Sequence, residues 1–334
     1  MINYRPISYT KAHAFCVAVF ESYGFTQPQS RDITDVLLCA DVFGIESHGI
    51  QRLTRYHQEI GDGFVKVDAQ PRILHETPLS AVMDADKCMG QLIAVEAMEL
   101  AISKAKKSGL GMVSVRNSNH FGIAGYYSRI ASDNQLLGIC MTNSEAIGVP
   151  TFGKRAMLGT NPIALSMPAT PVCFSFDAAT TVVPRGKLEV YHKNGKPLPQ
   201  SWAIDSTGHP TTDSGLVLNN IINKLGGGIA PLGGSGEDNG GHKGYGFALM
   251  VELFTGIFSG GSTSNYVNTR TGSVDICHWF AAMDYGLFGD KTEIEANFSK
   301  LLQELRDSDK ADGKYLYDRS YYNLFYVAQD TPKR

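Results

Sequence analysis

Two histidines stand where a proton can change hands. His120 lies in Arg116-Asn117-Ser118-Asn119-His120-Phe121-Gly122-Ile123-Ala124-Gly125, after a β-branched run at residues 112–115 and before a helix-like segment. The end of a strand is where loops of an α/β protein carry their chemistry. An imidazole there, ringed by amides and followed by glycines that admit a ligand to the backbone, suits proton donation or acceptance near neutral pH. A hydrogen-bonded structural histidine is the plainer reading of the same residue. His48 is the second, in Glu46-Ser47-His48-Gly49 between two helix-like segments. Arg52 and Tyr56 follow at helical spacing, so a helix projects them on the face of His48. A guanidinium held this way matches a planar carboxylate through two parallel hydrogen bonds, although a solvated helix with a surface arginine has the same spacing.

Further along, strands end repeatedly in small polar residues, at Thr142-Asn143-Ser144 and at Asp177-Ala178-Ala179-Thr180. Such recurrence implies one rim of a sheet turned toward a shared cleft, or simple turn chemistry. Pro184-Arg185-Gly186-Lys187 sets two cations beside a glycine, either as surface decoration or as a grip on dinucleotide phosphates. Gly240-Gly241-His242-Lys243-Gly244-Tyr245-Gly246 precedes a helix carrying Leu249, Val251, Leu253 and Phe254. Backbone N–H groups at a helix start, with Lys243 behind them, make an anion site. The stretch is neither a phosphate-binding Walker loop nor the GxGxxG of a Rossmann fold.

These residues need a frame. Residues 8–60 read as helices: a first capped by Ser8 or Thr10 and stopped by Gly24, a second capped by Ser30 and stopped by Gly44, a third over 50–60. From Arg72 onward strands and helices alternate, with strands at 79–83, 112–115, 136–142 and 174–181 and helices at 91–107 and 125–132. Residues 277–286 read as a further core strand. An amphipathic helix over 292–305, bearing Ile294, Phe298, Leu301 and Leu305, is placed to rejoin the N-terminal helices.

At 334 residues the chain has room for two packed units. Hydrophobic residues at 43% and charged residues at 19% describe an ordinary globular protein, and a net charge of −3 with interspersed signs points to neither nucleic acid nor an anionic membrane. No stretch reaches the ~20 apolar residues of a membrane span and the start has no signal-peptide core, so a cytoplasmic location is expected. Six scattered cysteines, with no CxxC, read as free thiols.

Taken together the motifs resemble the type-2 malate/L-lactate dehydrogenase family, which also includes ureidoglycolate, sulfolactate and diketogulonate oxidoreductases. The matching pieces are Ser47-His48-Gly49 with Arg52, Asn119-His120-Phe121-Gly122, Thr142-Asn143-Ser144, Gly159-Thr160-Asn161-Pro162, Asp177-Ala178-Ala179-Thr180, Arg185-Gly186-Lys187, Trp202-Ala203-Ile204-Asp205, Pro210-Thr211-Thr212-Asp213 and Gly241-His242-Lys243-Gly244-Tyr245-Gly246, in that order over residues 8–310.

The resemblance implies an α/β protein of non-Rossmann, malate/L-lactate dehydrogenase-like fold. A helical subdomain over 1–70, completed by about 290–334, would pack on an α/β cofactor-binding subdomain over 71–289. It implies an NAD(P)-dependent homodimer acting on the CH–OH group of a small 2-hydroxy acid, malate or L-lactate, with NAD the first choice of cofactor and NADP the second. His120 matches the proton-transferring histidine and His48 a second active-site histidine. Arg52 would hold the substrate carboxylate, and Ser47 and Tyr56 would line the pocket. Ser144, Asp177, Ala178, Ala179, Lys243 and Gly244 match positions that contact the dinucleotide, and Thr160, Asn161, Arg185, Lys187 and His242 complete the expected cofactor set. The chain departs from the family after Gly313, where an expected Gly-Glu pair is missing. Two rival readings are a reductase of a related carboxylate, such as ureidoglycolate, diketogulonate, sulfolactate or a cyclic imine carboxylate, and a hydrolase with a metal held by His48, His120 and Glu145.

Overall fold

The computed structural model describes residues 7–267 and 274–312. Three helices come first: α1 (Tyr9–Ser22), α2 (Gln27–Val42) and, after two single turns of 3₁₀ helix at Glu46–His48 and Ile50–Arg52, α3 (Leu53–Gly61). The sequence reading caps α2 at Ser30, but the cap lies four residues earlier. Thr26 caps it in a reciprocal box with Gln29, Pro28 is accommodated in the first turn, and Ser30 is buried inside. Cys16, Phe20, Phe25, Ile33, Leu37 and Tyr56 close these helices around a core of their own, which also takes in Met89.

The order continues as β1 (Arg72–Glu76), β2 (Ser80–Asp84), α4 (Gly90–Ser108), β3 (Leu110–Ser118), α5 (Ala124–Asp133), β4 (Leu137–Thr142), β5 (Ile163–Met167), β6 (Phe174–Ala178), α6 (Arg185–Lys193), β7 (Ala203–Ile204), α7 (Ser214–Asn223), β8 (Gly228–Ile229), α8 (Gly241–Glu252), β9 (Ile276–Met283) and α9 (Lys291–Asp307). Seven strands form one sheet in the order β1-β2-β3-β9-β4-β5-β6. Only β2 and β3 run parallel; every other neighbouring pair in that sheet is antiparallel. Strand β9 inserts between β3 and β4, with Phe280 opposite both Val113 and Cys140. Both of its faces are covered: Phe280 and Ala282 pack under α4 and α5, while Trp279 and Ala281 pack with Val251 of α8. A strand buried on both faces has no polar alternation, and 276–282 has none.

Helices α6 and α7 with the β7–β8 pair make a small lobe around Val183, Leu188, Val217 and Ile229. Helix α9 goes to the β6 edge rather than to the N-terminal helices. Phe298 meets Phe174 edge-on at 5.5 Å, and Ser299 Oγ accepts from the Thr170 N–H at 2.9 Å. An amphipathic stripe specifies that a helix is covered, not by what. The departure from the family pattern after Gly313 lies outside the described residues. No helix among the described residues is long and apolar enough to cross a membrane.

Candidate active site

The turn bearing His48 is pinned from below. Asp41, at the end of α2, accepts the Ile50 N–H at 2.6 Å, and a Cβ on Gly49 would lie 1.9 Å from the Asp41 carboxylate, so only glycine lets the two segments close. Arg52 Nε donates to the Ser47 carbonyl, and Ser47 Oγ pairs with His48 Nδ1 at 2.9 Å. The His120 loop is held equally firmly. Buried Asn119 donates its amide to the carbonyls of Lys87 and Cys88, both at 3.0 Å, and Gly90 packs so closely that a Cβ there would meet the carbonyl oxygens of Asn119 and His120 at 2.4 and 2.5 Å.

These two turns, 72 residues apart in sequence by subtraction of 48 from 120, bring their imidazoles together. The rings of His48 and His120 stack with centroids 5.5 Å apart and planes inclined by 24°. Tyr56 projects from α3 beside them, its hydroxyl 2.9 Å from His120 Nδ1. Burial, with the charges of Arg52 and Arg55 added, pushes the His48 imidazole down to about 4. His120 is pushed well below the usual histidine range by burial first, then by Arg55, His48 and Arg52. Both rings are therefore neutral at pH 7, in a field of fixed positive charge that favours an anionic ligand. Arg55 contributes strongly to this field and is paired with buried Glu59 at 2.7 Å. Sequence reasoning missed it, although Arg55 stands seven residues after His48 and three after Arg52, spacings that put it on the same helical face.

Strand β6 reaches the same place. Asp177 Oδ2 accepts the Gly125 N–H at 2.7 Å, so the carboxylate anchors the first turn of α5, immediately after the His120 loop. Burial raises Asp177 to about 6 while the N–H groups of Gly125 and Ala124 oppose that rise. Ala178 and Ala179 follow as a half-buried pair of small residues. Gly186, in the first turn of α6, comes close enough to Ser47 that an added Cβ would touch the serine Cβ at 3.8 Å. Arg185 and Lys187 flank that contact; Arg185 pairs with Glu189 at 3.0 Å and Lys187 is exposed.

The remaining expected residues form a second tier. Ser144 Oγ accepts the Thr160 N–H at 3.1 Å, joining the ends of β4 and β5, and the Thr160 carbonyl accepts the Thr180 N–H at 2.8 Å. Asn161 is wholly buried, and its amide is committed to Glu252 Oε1 at 2.8 Å and the Ala248 carbonyl at 3.1 Å. Helix α8 starts earlier than the sequence suggests, so His242, Lys243 and Gly244 belong to its first turn. Gly240 precedes it in the left-handed region with no side-chain cap, and His242 and Lys243 are exposed. Gly244 packs on Leu232, whose N–H reaches the Thr180 carbonyl at 2.8 Å, and this ties the start of α8 to the same rim.

A dinucleotide fits the groups present. The small, half-buried side chains of Ala178 and Ala179 would leave backbone within reach of a ligand, while Gly159 is buried against Ser144 and Asn161. The N–H groups at the start of α8, which has no side-chain cap, together with exposed Lys243, would hold the phosphates of such a ligand. The metal alternative finds less support, because Glu145 is in an ion pair with Lys224 at 2.6 Å. No cluster of three or more His, Cys, Asp or Glu side chains suited to a metal occurs among the described residues.

Beneath the site lies a histidine that sequence reading left in the core. His278 of β9 bonds Thr142 Oγ1 through Nδ1 and Ser118 Oγ through Nε2, both at 2.8 Å, and Phe121 stacks flat on it at 4.5 Å. Burial holds it down at about 3. Its folded-state pKa lies below the unfolded value, so at neutral pH it makes no difference to stability, and on acidification the unfolded chain binds the proton first. Each pH unit below about 6.5 then costs up to about 1.4 kcal/mol from this group alone, down to its folded value of about 3. Thermal unfolding followed from pH 7 to 4 is expected to fall less steeply for His278→Asn than for the wild type; parallel curves would show that His278 is not the source.

Comparison with known proteins agrees with this geometry. The family model described as malate/L-lactate dehydrogenase matches residues 7–317. The chain is 43% identical over 309 residues to a malate dehydrogenase of Pyrococcus abyssi, spanning 92% of this chain and 84% of that protein. It is 37% identical to an L-sulfolactate dehydrogenase of Methanocaldococcus jannaschii, over 89% of this chain and 83% of the other. The crystal structure of malate dehydrogenase from Entamoeba histolytica superposes with a TM-score of 0.90 at 35% identity, covering 96% of this chain and 90% of that one. With the family model matched over residues 7–317, a relative 43% identical over 92% of the chain and a solved structure superposing over 96% of it, the chain belongs to the malate/L-lactate dehydrogenase family.

Proposed function

We propose that this protein interconverts a small 2-hydroxy acid and its 2-oxo acid, with malate and oxaloacetate as the pair and NAD as the cofactor ahead of NADP. The observation that carries the reading is the stacked pair of neutral imidazoles, 5.5 Å apart, beside Arg52. When bound, the nicotinamide supplies or takes up a hydride at the acid's second carbon. The chain's own residues do the rest. Arg52, fixed by its bond to the Ser47 carbonyl, grips the carboxylate and orients the carbon. His120 and His48 face the 2-oxygen between them, one polarising it by a hydrogen bond and the other exchanging the proton that hydride transfer requires. The alanine shelf and the start of α8 receive the dinucleotide. Support for malate over other acids comes from the 43% identical relative named for it.

The reading includes a second copy of the chain. Helix α8 and the turn of π-helix after it present Leu249, Met250, Leu253, Ile257 and Phe258 to the outside, a row of apolar side chains that monomeric proteins seldom leave wet. The purified protein is to be offered oxaloacetate, pyruvate, sulfopyruvate, 2,3-diketogulonate and a cyclic imine carboxylate with reduced NAD and, separately, reduced NADP, following absorbance. Oxaloacetate with reduced NAD is expected to be fastest, and a protein that oxidises neither nucleotide with any of these acids is not such an enzyme. Sedimentation of the same preparation is expected to give a dimer; a monomer removes the second copy from the reading.

A further inference from the structure

Gln91 stands in the first turn of α4 with its side chain wholly buried, and no motif in the sequence singles it out. Its Nε2 lies 2.9 Å from the Tyr56 hydroxyl, which in turn lies 2.9 Å from His120 Nδ1. A phenol has one proton to give. If its oxygen accepts from the amide, that proton is left for the imidazole. The Gly122 N–H approaches the same Nδ1 at 3.4 Å, and a backbone N–H can only donate. Nδ1 is thus met by two donors and must be a lone pair. In a neutral imidazole the proton then sits on Nε2.

We propose that Gln91 is a positioning residue of this enzyme: by donating to Tyr56 it commits the phenol proton to His120 Nδ1 and holds His120 as the Nε2–H tautomer. The inference rests on His120 being an active-site imidazole, as proposed above. Its consequence is a division of labour. An Nε2–H ring presents the 2-oxygen with a donor whichever way the reaction runs, and it has no lone pair on that side to accept a proton from a hydroxy acid. The proton entering or leaving is then exchanged at His48. Burial holds the Tyr56 hydroxyl up at about 12, so it keeps its proton over the working range. The opposite arrangement, with the Gln91 carbonyl oxygen accepting from Tyr56 and Nδ1–H donating to the phenol, would set the Gly122 N–H against another N–H.

Two measurements test this. In the holoenzyme with its best acid substrate, Gln91→Met, which keeps the bulk and removes the donor, is expected to lower kcat about tenfold with KM changed by less than about twofold. Tyr56→Phe is expected to lower kcat at least as much. Adding Gln91→Met to Tyr56→Phe is expected to cost less than about twofold more, because the amide acts only through the phenol. Losses that multiply in the double variant would make Gln91 a packing residue and overturn the proposal. The second measurement needs neither turnover nor variant folding of Gln91. In wild-type protein labelled with ¹⁵N-histidine, the signal lost in His120→Gln is expected to show an unprotonated Nδ1 and a protonated Nε2. The reverse pattern overturns the tautomer. Because that spectrum is read without substrate, absence of dehydrogenase activity would count against the proposed function and leave this outcome readable.

Discussion

His120→Ala is expected to lower kcat by about 10² to 10³-fold, the range that loss of one preorganised donor to the reacting oxygen costs, while the dinucleotide binds within about twofold of wild type. The ring removed stacks on His48 at 5.5 Å and takes the Tyr56 hydroxyl on Nδ1, so its loss takes away a donor to the reacting oxygen and strands the phenol. The expected cofactor contacts lie on other elements, the ends of β4 and β6 and the start of α8, and those elements keep their own hydrogen bonds. Steady-state kinetics together with nucleotide titration by fluorescence separate the two effects. Turnover within about twofold of wild type would remove His120 from the chemistry.

Arg52→Leu is expected to act on the other quantity. Truncating the partner of a desolvated carboxylate costs about 2–5 kcal/mol, which corresponds to a loss of kcat/KM of about 30-fold to several thousand-fold. Most of that loss is expected in KM for the acid, because the grip on the carboxylate is made in the ground state and the transition state alike. Arg52→Lys should recover only part, since an ammonium is a point charge and cannot present a planar fork. Arg52 Nε also donates to the Ser47 carbonyl, so kcat should fall modestly as the His48 turn loosens. Unchanged KM in Arg52→Leu would leave Arg55, the other guanidinium close to both imidazoles, as the carboxylate grip.

How far the sequence carried the reading depends on the range of the interaction behind each feature. Helix α4 was legible almost to its ends, because its apolar stripe, late lysines and Gly109 stop are all local. Strands β2, β3 and β4 were legible for the same reason, as short apolar or β-branched runs next to turns. The start of α2 was misplaced because Thr26 and Ser30 are both good caps, and Pro28 with Gln29 decides between them only once the reciprocal box is drawn. Helices α6 and α7 went unread. The first is short and polar, with Leu188 its one buried residue, and the second has an apolar face that shows its purpose only against the rest of the small lobe.

By itself, then, the sequence determined the mixed α/β class, the presence of two histidine-bearing turns, and the family. Those follow from residue types and from periodicities that hold over a few turns of chain. Only the tertiary structure decided that β9, more than 130 residues downstream of β4 by its start at Ile276, inserts between β3 and β4 and carries His278 beneath the His120 loop. The same holds for Gln91 reaching Tyr56 and for α9 settling on β6. Strand order and side-chain partners at such separations are selected by packing and hydrogen-bond satisfaction in the finished core, and no local pattern encodes which of several suitable surfaces an element will meet.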